Sequence, residues 1–173
     1  MELKEETKIS HSIIFTFESI INFIKLNINK DDYSKCLLLI DFDEVLVTTN
    51  FTTNNEVRSI NKQLYFLMCP YSISVLNEIY KMDIKIYIIT ARYDEDKENI
   101  KSVLKSFNFP IFDIICCGGF KKSKKVRDNI DLNKYEYVFG IDDMYENLKS
   151  YHKLPIKHIY TFLFTELKNI EVN

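Results

Sequence analysis

The sequence predicts an α/β fold, in which a central, mostly parallel sheet of five strands lies between layers of helices. Five short apolar runs are rich in Ile, Val, Leu or Tyr. The first four alternate little between apolar and polar residues, as buried parallel strands do. Stretches with helical periodicity separate the runs, so that strand and helix alternate along the chain.

Length and composition limit the class of protein. The chain has 173 residues, which suits one domain with a substantial core. Hydrophobic residues make up 46% and charged residues 28%, as in globular proteins. The net charge of -2 provides no global attraction to nucleic acid or to an acidic membrane. We predict a single domain over residues 1–173, with a helical extension at 1–35 and the core at 36–165.

An amphipathic helix is predicted near the N-terminus, over residues 12 to 26. Its apolar positions Phe17, Ile20 and Ile24 recur at helical spacing. The predicted strands of the sheet follow at Leu37 to Ile40, Ile84 to Ile89, Ile111 to Cys117, Tyr137 to Ile141 and Ile156 to Phe164. Helical stretches separate them at residues 71–82, 94–107, 122–130 and 143–153. This order, with right-handed crossovers, predicts a Rossmann-like three-layer sandwich.

One segment interrupts the alternation of strand and helix. Residues 48 to 69 begin with a polar stretch and end in two strand-like pieces, EVRSI and QLYFLMC. The pieces flank Asn61 and Lys62, which suit a tight turn. We therefore expect a β-hairpin flap. Tyr65 and Phe66 in this flap are candidates for contacts with a substrate, or for core packing.

The segment most suggestive of chemistry is LLLIDFDEVLV, in which acidic residues end a buried strand. Other chemically active side chains stand at the ends of later strands, and parallel strands bring their carboxyl ends to one edge of the sheet. The candidates at this edge are Asp41 and Asp43 after the first strand, Thr90 after the second, the lysines of 121–125 after the third, and Asp142 and Asp143 after the fourth.

This set of side chains predicts phosphoryl-transfer chemistry. Carboxylates crowded at a buried edge repel each other unless a cation joins them, and hard oxygen ligands select Mg²⁺. With Mg²⁺ bound, one carboxylate can attack phosphorus and form an aspartyl-phosphate. Asp43 lies two residues beyond Asp41, on the same side of an extended chain, and can exchange protons with the leaving group and with water. A hydroxyl and a lysine would stabilise the transferring group.

The four motifs resemble, in order, those of the haloacid dehalogenase superfamily, whose members are mostly Mg²⁺-dependent phosphatases. Its first motif, DxDx[TV], is matched by residues 41–45, and its second, a Thr that ends the next strand, by Thr90 in IYIITAR. The third, a lysine near the start of a later helix, lies in FKKSKK. The fourth, an acidic pair after a hydrophobic strand, matches FGIDD. The resemblance covers roughly residues 36–165.

The resemblance implies a role for each acidic residue. Asp41 would be the nucleophile and Asp43 the general acid and base. Mg²⁺ would be bound by Asp41, the backbone carbonyl of Asp43, and Asp143, with Asp142 assisting. An aspartate at position 43 favours a phosphatase or phosphotransferase over a dehalogenase. Glu44 departs from the family, because glycine is common at that position.

Thr90 and a lysine would hold the phosphate, and two lysines are candidates. Val126 and Ile130 lie one helical turn apart and are expected to face the sheet. Lys122 lies one turn before Val126, on the same face, and is preferred. Lys124 lies close to the predicted start of the helix and is kept as the alternative.

The substrate class follows from the lengths of the intervals between motifs. The interval from Asp43 to Thr90 is filled by the flap and one helix, which leaves no length for a cap domain. An open site resembles the sites of capless family members that act on large substrates, such as phosphoproteins or nucleic-acid ends. Small nucleotides are the alternative substrates. The basic run Lys121–Lys125 is a candidate contact for nucleic acid. Arg92 is a candidate contact for a substrate phosphate, or a candidate partner in an ion pair with Asp94 or Asp96.

Two other readings remain. A receiver-like domain that accepts a phosphoryl group also gathers acids, Thr and Lys at strand ends, but its acid pair follows the first strand. A non-catalytic binding module could keep the same fold, although the intact motifs argue against it.

Location is predicted from the cysteines and the N-terminus. The four cysteines show no CxxC spacing and are expected to be reduced. The first ten residues are acidic in balance, unlike a secretory leader, and the apolar stretch after them is too short and too polar to span a bilayer. We therefore expect a cytoplasmic protein without a membrane partner.

Overall fold

A computed structural model of the protein describes residues 16–52 and 55–165. Its helices are α1 (Phe17–Asn27), α2 (Tyr71–Lys81), α3 (Lys97–Ser106), α4 (Lys122–Asn129) and α5 (Tyr145–Tyr151). Its strands are β1 (Cys36–Ile40), β2 (Val47–Thr48), β3 (Val57–Ile60), β4 (Gln63–Leu67), β5 (Lys85–Thr90), β6 (Asp113–Cys116), β7 (Tyr137–Asp142) and β8 (His158–Leu163). Within these ranges, no helix combines the length and the apolar character needed to cross a membrane.

The main sheet has five strands in the order β6-β5-β1-β7-β8, and every pairing between neighbours is parallel. β1 lies in the centre, and all five of its residues are buried. Helices cover both faces of the sheet, which confirms the predicted α/β three-layer fold. The chain runs from β1 to one side of the sheet and then returns to the other, so that β1 and β7 flank a switch in direction.

The two helical layers are distinguished by which residues of β1 they cover. Leu38 and Ile40 pack in one core with apolar residues of α1, α2 and α3. Leu37 and Leu39 point to the opposite face and pack with Val126 of α4 and with residues of α5. Because successive residues of a strand point to opposite faces, a continuous apolar run serves both layers.

Helix α1 forms part of the first layer. Ile20 and Ile24 are fully buried, and the ring of Phe23 meets the rings of Tyr160 and Phe162 edge-on at 5.0 and 5.7 Å between centroids. The helix begins at Phe17 after the N-cap Thr16. Positions 12–15 of the predicted helix lie outside the described residues. The observed part of the extension therefore packs on the core.

The strands differ from the sequence prediction at some of their ends. β6 begins at Asp113, which pairs with Tyr87, whereas the apolar run that predicted this strand begins at Ile111. Ile111 is 90% exposed, so this end of the run belongs to the loop. β8 likewise begins at His158, two residues after the start of its apolar run. Apolar character alone does not specify where strand pairing starts.

A second, small antiparallel sheet contains the predicted hairpin. β3 and β4 are joined by Asn61 and Lys62, whose positive φ angles of 49° and 66° suit the twist of a tight hairpin. The sheet has a third strand, β2, which is absent from the sequence prediction. Arg58 fastens the hairpin to α3, because its Nε donates to Ser106 O at 3.1 Å and its guanidinium lies 4.9 Å from the Phe107 ring centroid.

Candidate active site

Sheet register brings the acidic residues of two motifs together. Ile40 of β1 pairs with Ile141 of β7, and the next residue, Asp41, donates its N–H to Ile141 O at 3.0 Å. Asp41, Asp142 and Asp143 each offer a carboxylate oxygen, and these atoms lie within 4.8 Å of one another. The cluster stands at the edge of the sheet formed by the carboxyl ends of the strands, where open α/β sheets bind their ligands.

Lys122 is the cation of this cluster. Its Nζ lies 2.9 Å from Asp41 Oδ1 and 2.7 Å from Asp142 Oδ2, and its side chain is 3% exposed. The loop before it turns through Gly118 and Gly119, whose φ angles of 54° and 90° favour glycine. α4 then connects β6 to β7, and its first residue, Lys122, reaches the carboxylates.

Burial controls the ionisation of the cluster. Burial raises the pKa of Asp41 to about 8, while Lys122 acts to lower it and Asp142 to raise it further. The pKa of Asp143 is also raised, first by burial and then by the charge of Asp142. Burial acts to lower the pKa of Lys122, but the two carboxylates overcome this, and its pKa is raised. Three carboxylates thus share one ammonium group, and an added divalent cation would neutralise the excess.

Hydrogen bonds fix two of the carboxylates. Asp142 is fully buried, and its Oδ1 accepts from Met144 N at 2.9 Å and from Asn147 Nδ2 at 3.1 Å. Asp41 Oδ1 accepts from Phe42 N at 2.8 Å, in addition to the contact with Lys122. These contacts orient both side chains. The oxygen set of hard, preoriented carboxylates suits Mg²⁺.

Asp43 makes a bidentate ion pair with Arg92. Arg92 Nε donates to Oδ2 at 2.8 Å and Nη2 donates to Oδ1 at 2.7 Å. The Asp43 side chain is 37% exposed and that of Arg92 20%. Arg92 therefore pairs with neither Asp94 nor Asp96, the partners suggested by the sequence, but with Asp43, which lies 49 residues away in the chain.

Tyr65 connects this ion pair to the flap. Its hydroxyl accepts from Asn99 Nδ2 at 2.7 Å and from Arg92 Nη1 at 3.5 Å. The Arg92 guanidinium carbon also lies 5.2 Å from the Phe42 ring centroid. Tyr65 and Phe66 are both buried, so neither ring offers a free stacking surface. Arg92 is consequently held on several sides, by a carboxylate, a hydroxyl and a ring.

Thr90 ends β5, the neighbour of β1 on the side away from β7. Its side chain is fully buried, and its Oγ1 accepts from Arg92 N at 3.2 Å. A hydroxyl that accepts one hydrogen bond still has its own hydrogen to donate.

The two candidate lysines have different surroundings. Lys122 lies in the carboxylate cluster, whereas Lys124 is exposed and pairs with Asp128 at 2.7 Å. Lys124 Nζ also lies 5.8 Å from the Phe120 ring centroid. Residues two apart on a helix lie on nearly opposite sides, which explains the contrast. The structure brings Lys122, and not Lys124, to Asp41.

Glu44 takes the left-handed conformation that glycine commonly adopts, with φ at 61°. Its N–H donates to Val47 O at 2.8 Å, and its Oε1 accepts from Thr48 Oγ1 at 2.7 Å. The turn after β1 is therefore closed with a glutamate, and its side chain provides a contact that glycine lacks.

Comparison with known proteins identifies one similar sequence of interest. The chain is similar to a protein of Bacillus cereus that bears the name "Putative nucleotidase". The two are 28% identical over 109 residues, which is 60% of this chain and 58% of the Bacillus protein. The chain thus spans less than two thirds of that relative's length. No family model matches the chain, and no solved structure matches it.

Proposed function

We propose that the protein is a Mg²⁺-dependent phosphomonoester hydrolase that works through an aspartyl-phosphate on Asp41. The observation that carries the proposal is the buried cluster at the carboxyl edge of the sheet. Oxygens of Asp41, Asp142 and Asp143 lie within 4.8 Å of one another, and Lys122 bridges the first two. The similarity to a protein named as a nucleotidase supports a hydrolase of phosphate esters.

The residues present fit a magnesium ion. Asp41, the backbone carbonyl of Asp43, and Asp143 would hold it, with Asp142 assisting from its hydrogen-bonded position. Bound there, Mg²⁺ would neutralise the crowded carboxylates and the charge of the phosphate oxygens. All other steps of the reaction are carried out by the protein's own side chains.

The reaction has two chemical steps, in which Asp41 is the nucleophile and Asp43 the general acid and base. A carboxylate oxygen of Asp41 attacks phosphorus as the bond to the leaving oxygen breaks, and Asp43 gives that oxygen a proton. Water then attacks the phosphorus of the aspartyl-phosphate and loses a proton to Asp43. This releases phosphate and regenerates both carboxyl groups. Thr90 and Lys122 stabilise the charge on the transferring group.

Arg92 holds Asp43 before this proton transfer. Both oxygens of Asp43 accept a hydrogen bond from the guanidinium, so a leaving group has to share or displace these contacts. A substrate phosphate offers Arg92 an alternative anion of higher charge. We expect Arg92 to turn to the substrate phosphate and to leave Asp43 accessible to the leaving group.

The proposed substrates are nucleotides or larger phosphorylated molecules. Between Asp43 and Thr90, the described residues form β2, β3, β4 and α2 and no separate cap domain. Such a site is open to a phosphoprotein or a nucleic-acid end. The name of the Bacillus relative supports a nucleotide.

We also propose a reducing, cytoplasmic location. All four cysteines are free thiols, and Cys36, Cys116 and Cys117 are buried. Cys116 and Cys117 are adjacent in the chain and remain unbonded. Free thiols persist in the cytoplasm and are less common in oxidising compartments.

Release of p-nitrophenol from p-nitrophenyl phosphate tests the reaction. We expect turnover with Mg²⁺, none with EDTA, and a loss of at least about 1,000-fold in kcat for Asp41→Asn, because the nucleophile is removed. Asp128→Asn is the matched control, since Asp128 is an exposed aspartate that pairs with Lys124. It should retain wild-type turnover.

The time course separates the competing functions. Many turnovers per protein molecule support the hydrolase. A single burst of one p-nitrophenol per protein, with stable phosphorylation, would indicate a phospho-accepting domain. Activity that survives EDTA or the loss of Asp41 would contradict the proposal, as would a folded protein without any activity on phosphomonoesters.

A further inference from the structure

A basic pocket of about 240 Å³ lies between α4 and α5, beside the carboxylate cluster. Four lysines contribute to its wall, namely Lys121, Lys122, Lys149 and Lys153. Glu146 is the one acidic residue among its lining residues. Two elements that are separate in the sequence thus place an excess of positive charge around one cavity.

Three of these lysines have no acidic partner in the described part of the chain. Lys122 pairs with Asp41 and Asp142, but no ion pair involves Lys121, Lys149 or Lys153. Some other exposed lysines do have acidic partners, as Lys124 has Asp128. Like charges gathered around a cavity repel each other, and an anion in the cavity would relieve that repulsion.

The pocket shares two of its lining residues with the contacts of the carboxylate cluster. Lys122 lines the pocket and also contacts Asp41 at 2.9 Å. Asn147 lines it as well and donates to Asp142 at 3.1 Å. Lys122 and Asn147 thus connect the pocket to Asp41 and Asp142, so one small molecule with two anionic groups could contact both places.

The basic run of the sequence is divided by the structure. Lys121 and Lys122 line the pocket beside α5. Lys124 and Lys125 lie near Phe120 instead, with their ammonium groups 5.8 and 5.1 Å from its ring centroid. The first half of the run is thus joined around the pocket by lysines of another helix, Lys149 and Lys153.

We propose that this pocket binds a second phosphate group of the substrate, so that the protein prefers small bisphosphorylated molecules to monophosphorylated ones. This rests on the proposed function for the reacting phosphate. Lys121, Lys149 and Lys153 supply the charge for the second phosphate, and Lys122 lies between the two anions.

Competition assays with p-nitrophenyl phosphate as the substrate test the pocket. The competing probes are adenosine 5′-monophosphate and adenosine 3′,5′-bisphosphate. In the wild type, we expect the bisphosphate to have an inhibition constant about tenfold or more below that of the monophosphate, because charge-assisted contacts are strong. In the double variant Lys149→Gln, Lys153→Gln, the two constants should come within about twofold of each other.

A matched control removes the same charge at the opposite edge of the sheet. Lys134 and Lys157 are exposed and precede β7 and β8. The double variant Lys134→Gln, Lys157→Gln should keep the wild-type ratio of inhibition constants. A ratio that falls equally in both double variants would assign the effect to net charge and overturn the proposal.

Calorimetric titration of the wild type with the same two compounds gives a readout that does not depend on activity. Tighter binding of the bisphosphate, lost in the pocket variant, supports the pocket even if hydrolysis is absent and the proposed function fails. Equal affinities for the two compounds overturn it. Pocket-dependent binding of a phosphorylated oligonucleotide, without binding of the bisphosphate, would assign the pocket to nucleic acid and also overturn the proposal.

Discussion

In the turn after β1, the backbone and the side chain of Glu44 make opposing contributions to stability. Its φ of 61° lies in the left-handed region, which costs a residue with a Cβ about 1 kcal/mol. Its carboxylate accepts a hydrogen bond from Thr48, a buried residue whose hydroxyl would otherwise lose its acceptor. The side chain offsets the strain in the backbone.

This balance predicts different outcomes for two substitutions of Glu44. Glu44→Ala keeps the strain and loses the contact with Thr48, so we expect a loss of about 1–2 kcal/mol in the free energy of unfolding. Glu44→Gly loses the contact but relieves the strain, and we expect a free energy of unfolding within about 0.5 kcal/mol of the wild type. Urea denaturation measures both. Equal stabilities of the two variants would contradict the account of the turn.

The partner of Arg92 could not be predicted from the residues close to it in the sequence. Asp94 and Asp96 are close to it in the sequence, but the guanidinium pairs with Asp43, which follows β1. The adjacency of β5 and β1 in the sheet sets this choice, since it brings the ends of the two strands side by side. Proximity along the chain gave no signal for that contact.

At the scale of elements, β7 and α5 approach closely at Gly140. A Cβ built on this glycine would lie 2.8 Å from Tyr151 Cδ2, which is closer than real carbon atoms come. Tyr151 is 1% exposed, and burial raises its pKa well above the ordinary value, with the charges of Asp142 and Asp41 adding to the effect. The absence of a side chain at Gly140 thus allows Tyr151 to pack beside the site.

Gly140→Ala should therefore destabilise the protein by about 1–3 kcal/mol, because the added methyl group overpacks the contact with Tyr151. Thermal and urea denaturation measure the change. The double variant Gly140→Ala, Tyr151→Leu completes a double-mutant cycle, since the smaller side chain at position 151 makes room for the methyl group. Its loss of stability should be less than the sum of the two single losses, and strict additivity would rule out the steric explanation.

At the scale of the whole molecule, the three layers meet at an edge that concentrates negative charge. The pKa of Asp143 is raised by burial and by Asp142, so that folding without a cation brings repelling carboxylates together. A cation that binds the folded state, and not the unfolded chain, stabilises the protein by mass action.

Mg²⁺ should accordingly raise the melting temperature, by an amount equivalent to about 1.4 kcal/mol at ten times its dissociation constant. Asp143→Asn should be at least as stable as the wild type without Mg²⁺, because one repelling charge is removed, and it should lose most of the Mg²⁺-dependent increase. Differential scanning calorimetry with and without Mg²⁺ measures both effects.

Asp128→Asn is the control for this measurement, as an exposed aspartate outside the cluster. It should show the full Mg²⁺-dependent increase. An increase that is the same in the wild type and in Asp143→Asn would show that the ion binds elsewhere on the protein.

The sequence by itself determined the elements and the chemical character of the edge. Buried strands and amphipathic helices are recognisable from local periodicity, and residues that follow parallel strands must stand at one edge of the sheet. Asp41, Asp142 and Lys122 were predictable on this basis, because each stands at the end of a strand or on the inner face of a helix. The hairpin turn was predictable from its own residues.

Only the tertiary structure decided the contacts between elements. The partner of Arg92, the third strand β2, the packing of Tyr151 on Gly140, and the joining of Lys121 and Lys149 around one pocket all depend on how distant segments approach each other. The physical reason is that periodicity records which face of an element is buried, whereas pairing and packing depend on the shape and charge of neighbours that lie far away in the chain.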